Sequence, residues 1–207
     1  MNILVTGGLG LIGHNVVKRL QDQGHVVSIM DTQTNYGIIP QEEIDYLINN
    51  HNRNRFIRNL AISLNTNTLV LYQMVERHGQ ILYDMIKEKA GDRKVFFIHG
   101  GVETEDRESV RQIMEKENDA IIVASFGTFS TGINIRNLHN IIFASPSKSR
   151  VRNLQSIGRG LRKADDKDAV EVFDIASKCK FSNRHLLKRK KFYNEVQYPF
   201  TISKIIY

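Results

Sequence analysis

Four short runs of continuous apolar residues constrain this chain most: TLVLY (68–72), KVFFI (94–98), AIIVA (120–124) and NIIFA (140–144). None alternates apolar with polar, so each reads as a strand covered on both faces, and strands of that kind belong to parallel sheets. Between them lie GQILYDMIKEKA (79–90) and ETEDRESVRQIMEKE (103–117), both amphipathic at helical spacing. The second opens on acids that suit the positive end of a helix. Helices are expected over 41–50 and 52–64, and again around LQSIGRGLR, with a strand in AVEVFDIA (169–176) and a last one around 200–206. The alternation predicts an α/β fold, a parallel sheet of about five or six strands flanked by helices.

The first forty-odd residues follow a different plan. NILVTGGLGLIGHNVVKRL (2–20) is a strand running into Gly7, Gly10 and Gly13 at three-residue spacing, then a helix, then a strand at 26–30 that ends at Asp31. Glycines there let backbone approach a pyrophosphate at a helix N-terminus, and Asp31 stands where an acid takes ribose hydroxyls. Over about residues 1–40 the stretch resembles the first βαβ of the extended short-chain dehydrogenase and NAD-dependent epimerase family. That resemblance implies NAD as the cofactor, held by Gly7, Gly10, Gly13 and Asp31, and it does not continue. The Tyr-x-x-x-Lys pair of that family belongs well downstream, whereas Tyr83 and Lys87 lie close to the glycine loop and inside a helix of the second pattern. So small a fragment buries too little surface to be stable alone. Two parts are expected: a partial Rossmann-type dinucleotide-binding fragment over 1–45 as an appendage, and a second domain over 46–207.

Charge divides in the same place. Residues 1–46 hold two of the 29 Lys and Arg but five of the 22 Asp and Glu, a net −3 in a chain of net +7. The +10 that remains points to a polyanion, nucleic acid being the usual one, with a generic basic surface as the alternative. No run of about 18 apolar residues occurs, so no membrane span is expected. The opening residues do not read as a signal peptide. The single cysteine, Cys179, excludes an internal disulfide framework and a cysteine-based zinc site, and no metal site is expected. The expected location is the cytoplasm, the host's if the chain is phage-encoded.

The most informative string of the second part is LQSIGRGLRKADD (154–166). Arg159 and Arg162 stand three apart on a helix, where two guanidiniums can clamp one phosphate. Gly158 and Gly160 each disfavour that helix by about 1 kcal/mol relative to alanine, which close approach to another surface would explain. The string resembles motif VI of superfamily 2 helicases. IIVASFGTFSTGINIRNLHNIIFA (121–144) resembles motif V, a strand followed by a Ser/Thr/Gly turn. LVLYQMVERHG (69–79) resembles motif IV, and FIHGGVETEDRE (97–108) the strand-to-helix turn that follows it. Over about residues 50–207 the sequence is similar to UvsW-type phage helicases, which remodel branched and recombining DNA.

This resemblance implies that Arg159 and Arg162 are arginine fingers and that Gln155, Gly158, Gly132 and Asn134 face the nucleotide, although many relatives carry an acid at the place of Asn134. It also implies that His99, Gly100, Gly101, Ser130 and Thr131 approach DNA backbone. The tail KCKFSNRHLLKRKKFYNEVQYPFTISKIIY is open to two readings. Lys188, Arg189, Lys190 and Lys191 track phosphates beside Phe192 and Tyr193, or the segment is an amphipathic helix packed through Leu186, Leu187 and Phe192. Neither G-x-x-x-x-G-K-[ST] nor an Asp-Glu box occurs in the chain. ATP and Mg²⁺ are therefore expected only with a first RecA-like half supplied in trans, and the DNA partner is expected to be branched or single-stranded. The alternatives are an epimerase or dehydrogenase fragment and a catalytically silent DNA-binding module. QEEIDYL fits either parent pattern and places the join around residues 38–50.

Overall fold

The computed structural model describes residues 2–6, 11–30, 41–132, 135–145, 157–158 and 169–205. The chain divides into two compact units, Met1–Gln41 and Glu42–Tyr207. In the first, strands β1 (Asn2–Thr6) and β2 (Val26–Met30) pair in parallel and are joined by helix α1 (Leu11–Asp22). The helix ends at Gly24, whose φ of +80° lets His25 N–H turn back to the Leu20 carbonyl.

The second unit holds a five-stranded, wholly parallel sheet of β3 (Thr68–Tyr72), β4 (Val95–Ile98), β5 (Ile121–Ser125), β6 (Asn140–Phe143) and β7 (Glu171–Asp174). Their order across the sheet is β4-β5-β3-β6-β7. The four apolar runs become the four strands from β4 to β6, as their two-sided burial demands, and AVEVFDIA supplies the edge. The C-terminal residues depart from expectation. Those from Tyr198 to Ile205 form no strand, and Phe200, Ile202 and Ile205 are exposed.

Side chains alternate between the two faces. Leu69, Leu71, Ile122, Ile141 and Phe143 point into one core, closed by α5 (Thr104–Lys116), α6 (Phe126–Gly132) and α7 (Lys180–Glu195) through Met114, Phe129 and Phe192. Val70, Tyr72, Ile121, Val123 and Ile142 point into the other, closed by α3 (His51–Ser63) and α4 (Gln80–Lys89) through Ile57, Ala61, Leu82 and Ile86. A short helix α2 (Gln41–Asn49) precedes α3, and a π-helical turn, Val75–Gly79, leads into α4.

Asn67 pins the amino edge of the sheet. Its buried amide donates toward the carbonyls of Met114, Glu117 and Asn137 and accepts from Ala120 N–H at 2.9 Å. Arg93 caps the end of α3, donating to the carbonyls of Ile62 at 2.8 Å and Leu64 at 2.9 Å. At the opposite, carboxyl edge β4 gives way to the His99–Gly101 loop and β5 runs directly into α6.

Candidate functional site

With every strand parallel, the segments after β4, β5, β3, β6 and β7 all emerge at the carboxyl edge, where open α/β sheets hold ligands. The loop after β4 contains His99, Gly100 and Gly101. Val102 N–H turns back to the His99 carbonyl at 3.1 Å, and Gly101 N–H donates to His99 Nδ1 at 3.1 Å. A Cβ at Gly101 would press on the His99 ring, so that glycine serves a close approach within the loop; one at Gly100 would meet open space. The His99 ring packs on Phe97 with centroids 5.0 Å apart, and Phe97 in turn stacks on Tyr83 at 5.2 Å. Tyr83 thus lies on α4 as a packing residue.

The loop expected after β5 is a helix. Ser125 Oγ accepts Thr128 N–H at 3.2 Å and bonds the Thr128 hydroxyl at 2.8 Å, a side-chain cap that starts α6 at Phe126. Ser130, Thr131 and Gly132 therefore sit on the last turn of α6 rather than in a turn. Of the motif around 154–166, Ile157 and Gly158 are described. Ile157 is buried in the first core, while Gly158 is exposed and no described atom lies within 4 Å of where its Cβ would stand. Gln155, Arg159, Arg162 and Asn134 lie outside the described residues, as do Gly7, Gly10 and Asp31; Gly13 falls within α1.

The tail residues separate. α7 is the packed helix of the second reading, but through Phe192 and Tyr193 rather than Leu187, which is 64% exposed. Lys188 faces solvent. Arg189 does not: it is wholly buried, its guanidinium forked onto Asp174, so its expected place on a DNA-facing surface is corrected. The reason is periodicity. Ser182, His185, Arg189 and Phe192 form the inward stripe of α7, and Arg189 sits in it beside a carboxylate at the end of β7.

Sequence reasoning missed a buried polar network under the carboxyl edge. Asn54 Nδ2 donates to the Ile48 carbonyl at 2.7 Å, which turns its Oδ1 to His78 Nε2 at 3.1 Å. That nitrogen therefore carries the proton, and Nδ1 accepts from the Ser145 hydroxyl at 2.9 Å. Burial, and then the Arg53 charge, push His78 down to about 3, so the ring is neutral. Arg53 donates to Ser177 Oγ at 3.0 Å and to the Ala144 carbonyl. α3 thereby grips the segments that follow β6 and β7. One signal was present: Arg53 falls four residues before Ile57 and eight before Ala61, in the apolar stripe of α3.

Glu43 on α2 makes a second unforeseen contact. Its carboxylate accepts the N–H groups of Phe181 at 3.1 Å and Ser182 at 2.8 Å, capping α7 from another element. Asp45 pairs with Arg77. Among the described residues no helix is long and apolar enough to cross a membrane, and no cluster of three metal-binding side chains occurs.

Comparison with known proteins agrees with this geometry. The family model of the helicase conserved C-terminal domain matches residues 39–164, and that of the NAD dependent epimerase/dehydratase family matches residues 3–65. The ATP-dependent DNA helicase uvsW of Enterobacteria phage T4 is 37% identical over 155 residues, 73% of this chain and 30% of that protein. The putative ATP-dependent helicase IRC3 of Saccharomyces cerevisiae is 26% identical over 106 residues, 51% of this chain and 15% of that protein. The crystal structure of T4 UvsW superposes with a TM-score of 0.63 and 28% identity, covering 94% of this chain and 38% of that one. The chain thus spans less than a third of the length of these two curated relatives.

Proposed function

Because the chain belongs to the helicase conserved C-terminal domain family, we propose that it is the second motor half of an ATP-dependent superfamily 2 DNA helicase. The observation that carries this reading is the convergence at one carboxyl edge. The His99–Gly101 loop and the start of α6 lie there, the chain leaves β6 toward Ser145 there, and Ile157, within the motif around 154–166, is buried in the core. His99, Gly100, Gly101, Ser130, Thr131 and Lys188 approach the DNA backbone, supplying donors to phosphate without reading sequence. Gln155, Gly158, Gly132 and Asn134 face the nucleotide. Gly158, exposed and with no described atom within 4 Å of where its Cβ would stand, fits the approach of a phosphate-bearing partner surface.

Arg159 and Arg162 act as arginine fingers on the transferring phosphoryl group, a contribution of about 10³–10⁵ in rate where it completes a site. This chain has no Walker A loop to hold ATP and Mg²⁺, so hydrolysis requires a first RecA-like half. The DNA is branched or single-stranded, and the setting is the cytoplasm, a host's if the chain is phage-encoded. The test is ATPase activity with a matching first half added in trans and a DNA fork present. Activity should appear on mixing and fall at least a hundredfold in Arg159→Ala and in Arg162→Ala. Unchanged activity in both variants would remove the finger assignment. DNA binding without ATPase under any complementation would leave a catalytically silent DNA-binding module.

A second reading applies to the first unit, which carries the strand–helix–strand of a dinucleotide fold and the epimerase-family match. Under it, Gly7, Gly10, Gly13 and Asp31 bind NAD. NADH fluorescence should then respond to the protein and the response should vanish in Gly10→Val; no response at millimolar NADH ends this reading.

A further inference from the structure

The outward face of α7 carries a row of four cations that helix formation does not require. Lys180, Arg184, Lys188 and Lys191 are all exposed and fall within an arc of roughly 80° at 3.6 residues per turn, a row about 17 Å long. Neighbours in such a row are three or four residues apart, and like charges at that spacing work against the helix. The first turn of α7 carries no acid, although acids are favoured there, and the only carboxylate of the helix is Glu195 at its end. Among the described residues none of the four cations has a carboxylate within ion-pair distance; Lys180 and Arg184 lean over the Phe181 ring instead.

The N-terminal charge that α7 lacks arrives from Glu43, whose carboxylate binds Phe181 N–H and Ser182 N–H. The arrangement satisfies the helix end from another element and leaves the exposed stripe without an acid from Lys180 to Lys191; Glu195 follows one turn later. Local choices that oppose the fold without a packing reason mark a surface made for a partner. Arg189, in the same basic run, is held inward by Asp174, so the run divides into a structural arginine and an outward row.

We propose that Lys180, Arg184, Lys188 and Lys191 form a phosphate track along α7 that binds DNA backbone apart from the carboxyl-edge loops. This rests on the reading of the chain as a DNA-binding helicase half. A row of four cations about 17 Å long suits a polyanion with closely and regularly spaced charges. Leu187 is the one exposed large apolar side chain on this helix, too little apolar surface for a membrane-lying helix.

The experiment is binding of a labelled DNA fork and a labelled single strand to the full chain, titrated with salt. Wild type is compared with Lys180→Gln/Arg184→Gln/Lys188→Gln/Lys191→Gln and with Lys87→Gln/Lys89→Gln on α4. Glutamine keeps helix propensity, and circular dichroism verifies the fold; the pair Lys188→Gln/Lys191→Gln serves should the fourfold variant not fold. Loss of four phosphate contacts should make the slope of log K against log salt shallower by about 3, between single-strand and duplex values, and the pair by about half that. The α4 variant should match wild type. An α7 variant with the wild-type slope overturns the track while leaving the helicase reading in place. So does an α4 variant that loses as much per charge. Wild type that binds no DNA in low salt overturns both. Anionic phospholipid vesicles that capture wild type through α7 in preference to DNA would assign the surface to membranes instead.

Discussion

Arg189 is forked onto Asp174, Nε to Oδ2 at 2.6 Å and Nη2 to Oδ1 at 2.8 Å, and the Tyr193 hydroxyl donates to the same Oδ2 at 3.0 Å. The triad ties the inward face of α7 to the end of the edge strand β7. Burial, and then the Asp174 charge, push the Tyr193 phenol up, so it stays a donor at any working pH. Removing one partner of a buried pair strands the other charge. Arg189→Ala should therefore lower unfolding stability by about 3–5 kcal/mol in urea titration. Asp174→Asn combined with Arg189→Met should recover much of that loss. A loss in Arg189→Ala as small as that of a surface arginine would mean the fork contributes little.

His78 makes stability depend on pH. Its folded value of about 3 lies below the ordinary 6.5, so between these values the unfolded chain binds a proton that the folded chain refuses. Stability is fully present above about pH 6.5 and declines as pH falls toward 3, by up to about 1.4 kcal/mol per unit from this group. Urea midpoints from pH 7 down to pH 4 read the slope. His78→Gln, which has a donor and an acceptor but no titration in this range, should flatten it; an equal slope in the variant would place the dependence elsewhere.

Gly79 begins α4 against the Tyr72 ring. A Cβ there would collide with ring atoms Cε1, Cε2 and Cζ of Tyr72, which is wholly buried and stacked on Phe97. Gly79→Ala should lower stability by about 1–3 kcal/mol, the usual penalty of overpacking. In the double variant with Tyr72→Leu the two effects should fail to add, because the smaller side chain removes the collision. Additive effects would show that α4 shifts to admit the methyl group.

Glu43 holds the start of α7. Glu43→Ala leaves the Phe181 and Ser182 N–H groups without that acceptor and should reduce stability by about 1 kcal/mol, the typical worth of an N-terminal cap. Native-state hydrogen exchange offers the sharper reading, since the amides of the first turn of α7 should exchange faster while those of β3 and β5 do not. Uniform protection across α7 in the variant would show that the cap is dispensable.

How legible each element was depended on whether its determinants were local. The strands from β3 to β6 were readable because a run such as AIIVA can only sit between two covering layers. Helix α3 was readable from Phe56, Ile57 and Leu60, and the α5 helix from its acids. The turn expected at Ser130–Gly132 was misjudged because the hydroxyl that starts α6 belongs to Ser125, at the end of a strand. The strand expected near 200–206 had suitable alternation, but sheet formation requires a neighbour, and among the described residues the edge β7 pairs with β6 alone. Among site residues, the His99–Gly101 loop followed from its position after a strand. The Arg53–His78–Ser145 network did not, since its members are 25 and 67 residues apart in sequence.

Periodicity and composition were sufficient for the class of fold, the parallel sheet and the divide between an acidic head and a basic body, because each depends on residues close in sequence. Which arginine of a basic run is buried and which carboxylate caps which helix were decided by folding. Those outcomes depend on groups brought together from distant segments: Asp174 beside Arg189, Glu43 beneath Phe181, Asp45 beside Arg77. A charge carries no local mark of the partner it will meet, so the split of α7 into an inward arginine and an outward cationic row exists only in three dimensions.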